Sequence, residues 1–167
     1  MTWDARWTNF SDKELNDTVY TRNEERYTRY SRTILLHLRP TNTLDIGGGT
    51  GGLGAFLPGK YTVMDHPRMQ QFCKWANWIP IGPIDPEAGY DLVVSTNAMN
   101  ENPIPVMKAY IDQIEAVGIP YLYLNGRKYR QGTHFKDWPI GNWEPLVLRG
   151  WGGKGDRYME FLGKLKR

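Results

Sequence analysis

Cysteine is nearly missing from this sequence, with Cys73 the only one in 167 residues. A disulfide framework within the chain and a cysteine-ligated zinc site are therefore both excluded. No apolar run approaches the ~20 residues of a membrane span. The opening stretch MTWDARWTNFSD has no apolar signal-peptide core. Charge excess is also small: 21 Lys and Arg against 18 Asp and Glu leave a net +3, too weak alone to argue for nucleic acid. No carboxylate and histidine cluster has metal-ligand spacing, so no metal is expected. Repeats and low-complexity segments are absent. These absences predict a soluble, cytoplasmic protein without a membrane partner.

What is present is an ordinary apolar share, 40% of residues, in a chain long enough for one core. Seven Trp and ten Tyr are many for this length, and aromatic residues line pockets as well as cores. From Asp12 to Leu38 the pattern is helical, with Tyr20, Tyr27, Tyr30, Ile34 and Leu38 forming one buried stripe. Arg22, Arg26 and Arg29 form a second stripe: a solvated face, or a grip on a cofactor carboxylate or an anionic acceptor. Pro40 ends the helix and TNTLDI begins a strand. A glycine loop follows, then a helix start at Leu53–Leu57 that Pro58 and Gly59 stop. Lys60–Asp65 reads as a second strand, and PRMQQFCKWANW as a helix with Pro67 in its first turn. At most a short strand fits near Ile79–Ile81. Tyr90–Ser95 is a strand, Ile104 to about Val117 a helix stopped by Gly118, and PYLYLNG a strand. A long irregular loop, Arg127–Asn142, precedes a terminal hairpin of WEPLVLRG and RYMEFLGKLK. Alternating strands and helices predict one α/β domain over residues 1–167, with a helical segment (1–40) and a parallel-sheet core (41–167) closed by an antiparallel hairpin.

The chemistry concentrates in TLDIGGGTGGL, Thr43–Leu53. Gly49-x-Gly51-x-x-Gly54 matches the dinucleotide-binding fingerprint. A shifted register, Asp45-x-Gly47-x-Gly49-x-Gly51, resembles motif I of class I S-adenosylmethionine-dependent methyltransferases. Three features favour the second: Asp45 ends its strand, Asp65 ends the next, and a terminal hairpin leaves no room for a separate substrate domain. The resemblance implies a Rossmann-like methyltransferase sheet and S-adenosylmethionine as cofactor. Gly47, Gly49 and Gly51 would let the backbone approach its methionine part. Asp45 would engage its ammonium group or the loop's own N–H donors, and Asp65 the two ribose hydroxyls. His66 would wall the adenine, and Asn97 would complete the cofactor site beyond the third clear strand.

A narrower similarity concerns the acceptor. YTVMDHPRM, STNAMNENPIPVMKAYI and PYLYLNG resemble segments of the sugar O-methyltransferase family, which implies a sugar-like, small-molecule hydroxyl acceptor. A hydroxyl benefits from a positioned base. Asn97, Asn100, Glu101 and Asn125 fall at strand ends where open α/β sheets bind ligands. His134 lies in the long loop, where Phe135, Trp138 and Trp143 suggest a lid. Glu101 is the favoured base, His134 the second. Each also has a plainer role: Glu101 opposing a helix dipole, Asn125 before Gly126 as a turn residue, His134 as a solvated histidine. The tetrapeptide of amino-methylating nucleic-acid enzymes, an Asp, Asn or Ser followed by two prolines and an aromatic, is missing, as is a Pro–Cys nucleophile, which argues against a nucleic-acid substrate. The alternatives are methylation of another small metabolite or of nucleic acid, and a cofactor-binding partner subunit without activity.

Overall fold

Short apolar runs that carry β-branched residues build the centre of a seven-stranded sheet. The computed structural model describes residues 24–127, 129–130, 133–151 and 157–167. The strands are β1 (Asn42–Ile46), β2 (Lys60–Asp65), β3 (Asn77–Pro80), β4 (Leu92–Thr96), β5 (Tyr121–Arg127), β6 (Tyr129–Arg130), β7 (Thr133–His134), β8 (Trp143–Trp151) and β9 (Tyr158–Leu165). The large sheet runs β3-β2-β1-β4-β5-β9-β8, while β6 and β7 form a separate small hairpin. Pairings from β3 through β5 are parallel. β9 is antiparallel to both β5 and β8, so β9 alone opposes the common strand direction. This is the parallel sheet with closing antiparallel hairpin that the sequence predicts.

Two helices cover the faces: α1 (Glu24–Leu35) and α2 (Ile104–Val117). Successive strand residues point to opposite faces, and the core divides accordingly. Leu44, Ile46, Val93, Leu122, Leu124 and Phe161 pack with Met107, Tyr110, Ile111 and Ile114 of α2. Val63, Val94, Tyr123 and Leu162 pack with Tyr30 and Ile34 of α1. Because α1 ends shortly before β1 begins, it runs against the parallel strands, and its first turns lie at their C-terminal rim. Tyr27 marks that placement, since a Cβ on Gly52, just past the glycine loop, would lie 2.6 Å from its ring.

Several elements depart from the sequence reading. The described part of the first helix is Glu24–Leu35, while Tyr20 and Arg22 lie outside the described residues. Gly52–Phe56 and Pro67–Phe72 are 3-10 turns rather than α-helices. Gly52 and Gly54 weaken the first. The second is cut short because Asn77–Pro80 pairs in parallel with Thr62–Asp65, so tertiary pairing overrides the helical pattern around Trp78. The anticipated lid does not form from its tryptophans. Trp138 and Trp143 are buried in the α2-side core, and Trp143 Nε1 donates to Glu115 at 2.9 Å. Among the described residues, no helix is long and apolar enough to cross a membrane.

Ile34 is fully buried where α1 meets the sheet. Ile34→Ala should cost about 2–5 kcal/mol through lost contacts and the cavity left behind. Urea unfolding of the two proteins measures the difference.

Candidate cofactor and acceptor site

Strand register places the candidate residues in one line across the sheet. Ile46 pairs with Met64, so Gly47 and Asp65 follow at the next level. On the other side, Thr96 pairs with Asn125, Asn125 with Glu160, and Glu160 with Arg149. By strand alternation Gly47, Asp65, Thr96, Asn125, Glu160 and Arg149 face α1, at the C-terminal rim where open α/β sheets take their ligands.

The glycine loop occupies one end of this line. Gly47, Gly49 and Gly51 have φ of 76°, 59° and 72°, left-handed values that favour glycine. Gly47 N–H donates to Met64 O at 2.8 Å, which pins the loop to β2. Gly48, which the motif reading passed over, leaves no room for a side chain, because a Cβ there would fall on the Asp45 carboxylate.

Both acids are buried, each 2% exposed. Asp65 Oδ2 accepts from Gly49 N–H at 2.8 Å and Oδ1 from His66 N–H at 2.6 Å. Burial raises its carboxyl pKa, and those two backbone bonds partly oppose the rise. Asp45 Oδ2 accepts from the Tyr61 hydroxyl at 2.7 Å, while buried Oδ1 has no hydrogen-bond partner. Its protein partner is thus a tyrosine rather than the loop N–H donors, one of the two alternatives read from sequence. Burial lifts Asp45 from 3.8 to about 7, against the lowering effect of the Tyr61 bond and with a further push from Asp65. Tyr61 was not anticipated. The signal lies in the register, since Tyr61 precedes by two residues the Val63 that pairs with Asp45, within a long side chain's reach on that face.

His66 caps the Pro67–Phe72 turn, its Nδ1 accepting from Arg68 N–H at 3.2 Å. Cys73 lies beside the loop, 3.4 Å from where a Cβ on Gly51 would sit.

Beyond β4, Asn97 adopts φ 55° and donates its N–H to Asn125 O at 2.7 Å. Ser95 Oγ donates to Ile46 O at 2.9 Å and accepts from Met99 N–H at 3.0 Å. This bridge ties the end of β1 to the 3-10 turn Met99–Glu101, which carries half-buried Glu101. Asn100 and Asn125 are buried, and neither carboxamide has a hydrogen-bond partner. Asn100 lies against Gly126, where any Cβ would collide with it. Uncompensated buried amides are costly, and here they flank the end of β5 on opposite faces. His134 stands apart from this group. Its Nδ1 accepts from Lys136 N–H at 3.1 Å and its own N–H donates to Asp137, forming a cap.

At the far end lies a group that the motifs did not indicate. Glu160, 0% exposed, accepts from the Tyr123 hydroxyl and from Arg149 Nε, each at 2.7 Å. Arg29 stands 3.6 Å from the same carboxylate, and Arg149 Nη2 donates to Thr33 at 2.9 Å. Burial would raise the Glu160 carboxyl, but the Tyr123, Arg149 and Thr33 hydrogen bonds outweigh it and hold the pKa below its ordinary value. A lone glutamate in the apolar run YMEFL was the available signal. Arg29 is consequently half-buried rather than part of a freely solvated face. Among the described residues, no cluster of three or more His, Cys, Asp or Glu could hold a metal ion.

No protein-family model matches the chain, and no curated protein matches it. Solved structures do. An S-adenosylmethionine-dependent methyltransferase from Clostridium acetobutylicum superposes with TM-score 0.71 at 12% identity, over 94% of this chain and 100% of that one. The magnesium protoporphyrin IX methyltransferase of Synechocystis, solved with bound S-adenosylmethionine, gives 0.68 at 11% identity, over 97% and 89%. An O-methyltransferase family protein from Burkholderia thailandensis gives 0.68 at 13% identity, over 92% and 59%. The chain has the Rossmann-like fold of these methyltransferases.

Asp45 generates a pH prediction. Its folded pKa of about 7 exceeds the ordinary 3.8, so folding takes up a proton between those values. Stability from this group is therefore full below about pH 4 and falls as pH rises towards 7. Asp45→Asn should remove that decline, a difference on the order of 3–4 kcal/mol between the pH extremes. Unfolding free energies of the ligand-free proteins from pH 4 to 8 check it.

Proposed function

We propose that the chain is an S-adenosylmethionine-dependent methyltransferase acting on a hydroxyl of a small, sugar-like acceptor. The observation that carries the cofactor class is electrostatic. Two buried carboxylates, Asp45 and Asp65, lie under a glycine loop that leads into a five-residue 3-10 turn, Gly52–Phe56. A pyrophosphate-binding loop instead opens a full α-helix, whose dipole and free N–H groups favour an anion. A site with two acids and no helix suits a cationic ligand, and S-adenosylmethionine carries both a sulfonium and an ammonium group. The solved methyltransferases of this fold, including those with bound cofactor, support the same reading.

The residues present fit that cofactor. Gly47, Gly49 and Gly51 leave the loop surface bare for its methionine part. Asp45 Oδ1, buried and unpartnered, is available to a cation. Asp65 is oriented by two backbone N–H groups, leaving its remaining lone pairs for a ribose diol. His66 and Asn97 border the cofactor on either side of the loop. Bound S-adenosylmethionine supplies a methyl group on a sulfonium that departs as a neutral thioether. The chain's residues would align the acceptor and take up its proton: Glu101, on the 3-10 turn after β4, would receive the hydroxyl proton on methyl transfer. His134 is the second choice for this role, since its Nδ1 is engaged as a cap.

The overall test supplies methyl-labelled S-adenosylmethionine to the chain with a pooled metabolite extract. Label in a small-molecule product, with S-adenosylhomocysteine formed in equal amount, is expected. Cofactor binding without any product would instead favour an inactive partner subunit. Two variants refine the assignment. Asp65→Ala should weaken cofactor binding about 10- to 100-fold, the equivalent of one charge-assisted hydrogen bond, as read by calorimetry. Glu101→Gln should lower turnover roughly 100- to 10,000-fold with cofactor affinity intact. Near-full turnover in Glu101→Gln beside an inert His134→Ala protein would transfer the base role to His134.

A further inference from the structure

Asp45 is held by a contact that the glycine loop does not supply. Its Oδ2 accepts from the Tyr61 hydroxyl at 2.7 Å, and its buried Oδ1 has no hydrogen-bond partner. Tyr61 is itself buried on the α1 face of β2, and its ring is fixed by the turn that follows the loop. A Cβ on Gly54 would lie 2.9 Å from that ring, so Gly54 clears the space that the ring occupies. The loop backbone closes over the carboxylate at Gly48, where a Cβ would collide with it. Tyrosine, acid and loop form one packed unit, and the tyrosine fixes which oxygen of the acid is left over.

Few charged groups surround that acid. β4 faces it with Val94, its register partner, and with Leu92 on the same face. β2 brings Tyr61 and, at its end, Asp65, the two groups that act on the Asp45 carboxyl besides its own burial. Neither of these is a cation. Further out, Cys73 feels both acids, His66 acts on Asp65, and Tyr27 of α1 acts on Tyr61. Burial holds the Tyr61 hydroxyl well above its ordinary pKa, so it remains a donor. Burial likewise lifts Asp45 to about 7, so the empty site holds a substantial share of neutral acid at neutral pH. With Oδ2 occupied as an acceptor, the proton of that neutral acid belongs on Oδ1, the oxygen without a partner.

We propose that Tyr61 is a positioning residue of the cofactor site: it holds Asp45 Oδ2 so that Oδ1 meets the ammonium group of S-adenosylmethionine, and the carboxyl gives up its Oδ1 proton as that cation binds. The O–H bond at Oδ1 breaks, the proton passes to solvent, and an ammonium N–H takes its place on the same oxygen. Cofactor affinity is then coupled to pH. Only the ionised fraction of Asp45 is competent, so apparent affinity rises as pH rises towards about 7 and levels off above it. This deepens the methyltransferase reading and rests on it for the identity of the cation.

The test follows binding of S-adenosylhomocysteine, which keeps the same ammonium group, by calorimetry on the full-length chain from pH 5.5 to 8. At pH 6.5 the titration is run in phosphate and in imidazole, whose different ionisation enthalpies count the protons released. Net release approaching one proton is expected, with affinity about 10-fold or more higher at pH 7.5 than at pH 5.5. Asp45→Asn should abolish the release and flatten the profile. Tyr61→Phe keeps the ring against Gly54 and so retains the fold, but without the hydroxyl the Asp45 titration moves to higher pH. Its affinity should fall about 10-fold at pH 6.5, with the deficit narrowing as pH approaches 8. A merely structural role for Tyr61 would weaken binding equally at every pH. Binding without proton release, release undiminished in Asp45→Asn, or a Tyr61→Phe deficit that is absent or independent of pH overturns the proposal and leaves the methyltransferase reading standing. No binding by the unaltered chain at any pH overturns that reading and the proposal with it.

Discussion

Keeping two carboxylates buried beneath a loop almost without side chains is the constraint on which the rim of this sheet depends. Asp45 and Asp65 both have raised pKa values, with burial as the largest cause. Each is held by few donors: one tyrosine hydroxyl for Asp45, two backbone N–H groups for Asp65. The loop can come this close only because Gly48 presents no Cβ to the Asp45 carboxylate. Such a site is under electrostatic tension when empty of positive charge. A cation nearby favours the ionised acids and relieves it, so affinity for a cationic ligand follows from the same burial that costs stability.

That tension is tolerable because the surrounding sheet is tied together at the same level. Ser95 bridges Ile46 to Met99, and Gly47 is bonded to Met64. The loop, β2 and the turn carrying Glu101 are thereby held in a fixed relation. On the far side, Tyr123, Arg149 and Thr33 satisfy Glu160 and join α1 to the terminal hairpin. Leaving a buried charge unpaired is strongly destabilising, which explains why a network of several donors surrounds this one carboxylate. Asn100 and Asn125 lack that compensation. They flank the end of β5 on opposite faces, and buried polar groups without partners are uncommon.

The parts legible in the sequence are those set by local pattern. The loop glycines, the acids Asp45 and Asp65 at or next to the ends of β1 and β2, the helix Ile104–Val117 and the closing hairpin all follow from short-range periodicity or punctuation. What could not be read depended on pairing between distant segments. Trp78 looked helical beside its neighbours, yet β2 recruits it into β3. Trp138 and Trp143 looked like a lid because loop aromatics often are, but the α2-side core claims them. Tyr61 becomes a partner of Asp45 only once β1 and β2 are in register. Glu160 has meaning only with Arg149 opposite and α1 above, contacts that span 11 to 131 positions along the chain.

Charged groups sit at both ends of the rim. Asp45 and Asp65 lie at β1 and β2, while Arg149 of β8 and Arg29 of α1 face the buried Glu160 of β9. At a spacing of about 4.8 Å per strand, roughly four strands separate β1 from β8, so the two ends interact weakly through solvent. The short 3-10 turn after the glycine loop contributes to this separation. A full helix there would place a positive dipole end beside Asp45 and Asp65, weakening the negative end of the line. With only Gly52–Phe56 in that position, no helix dipole offsets the negative potential of the two acids.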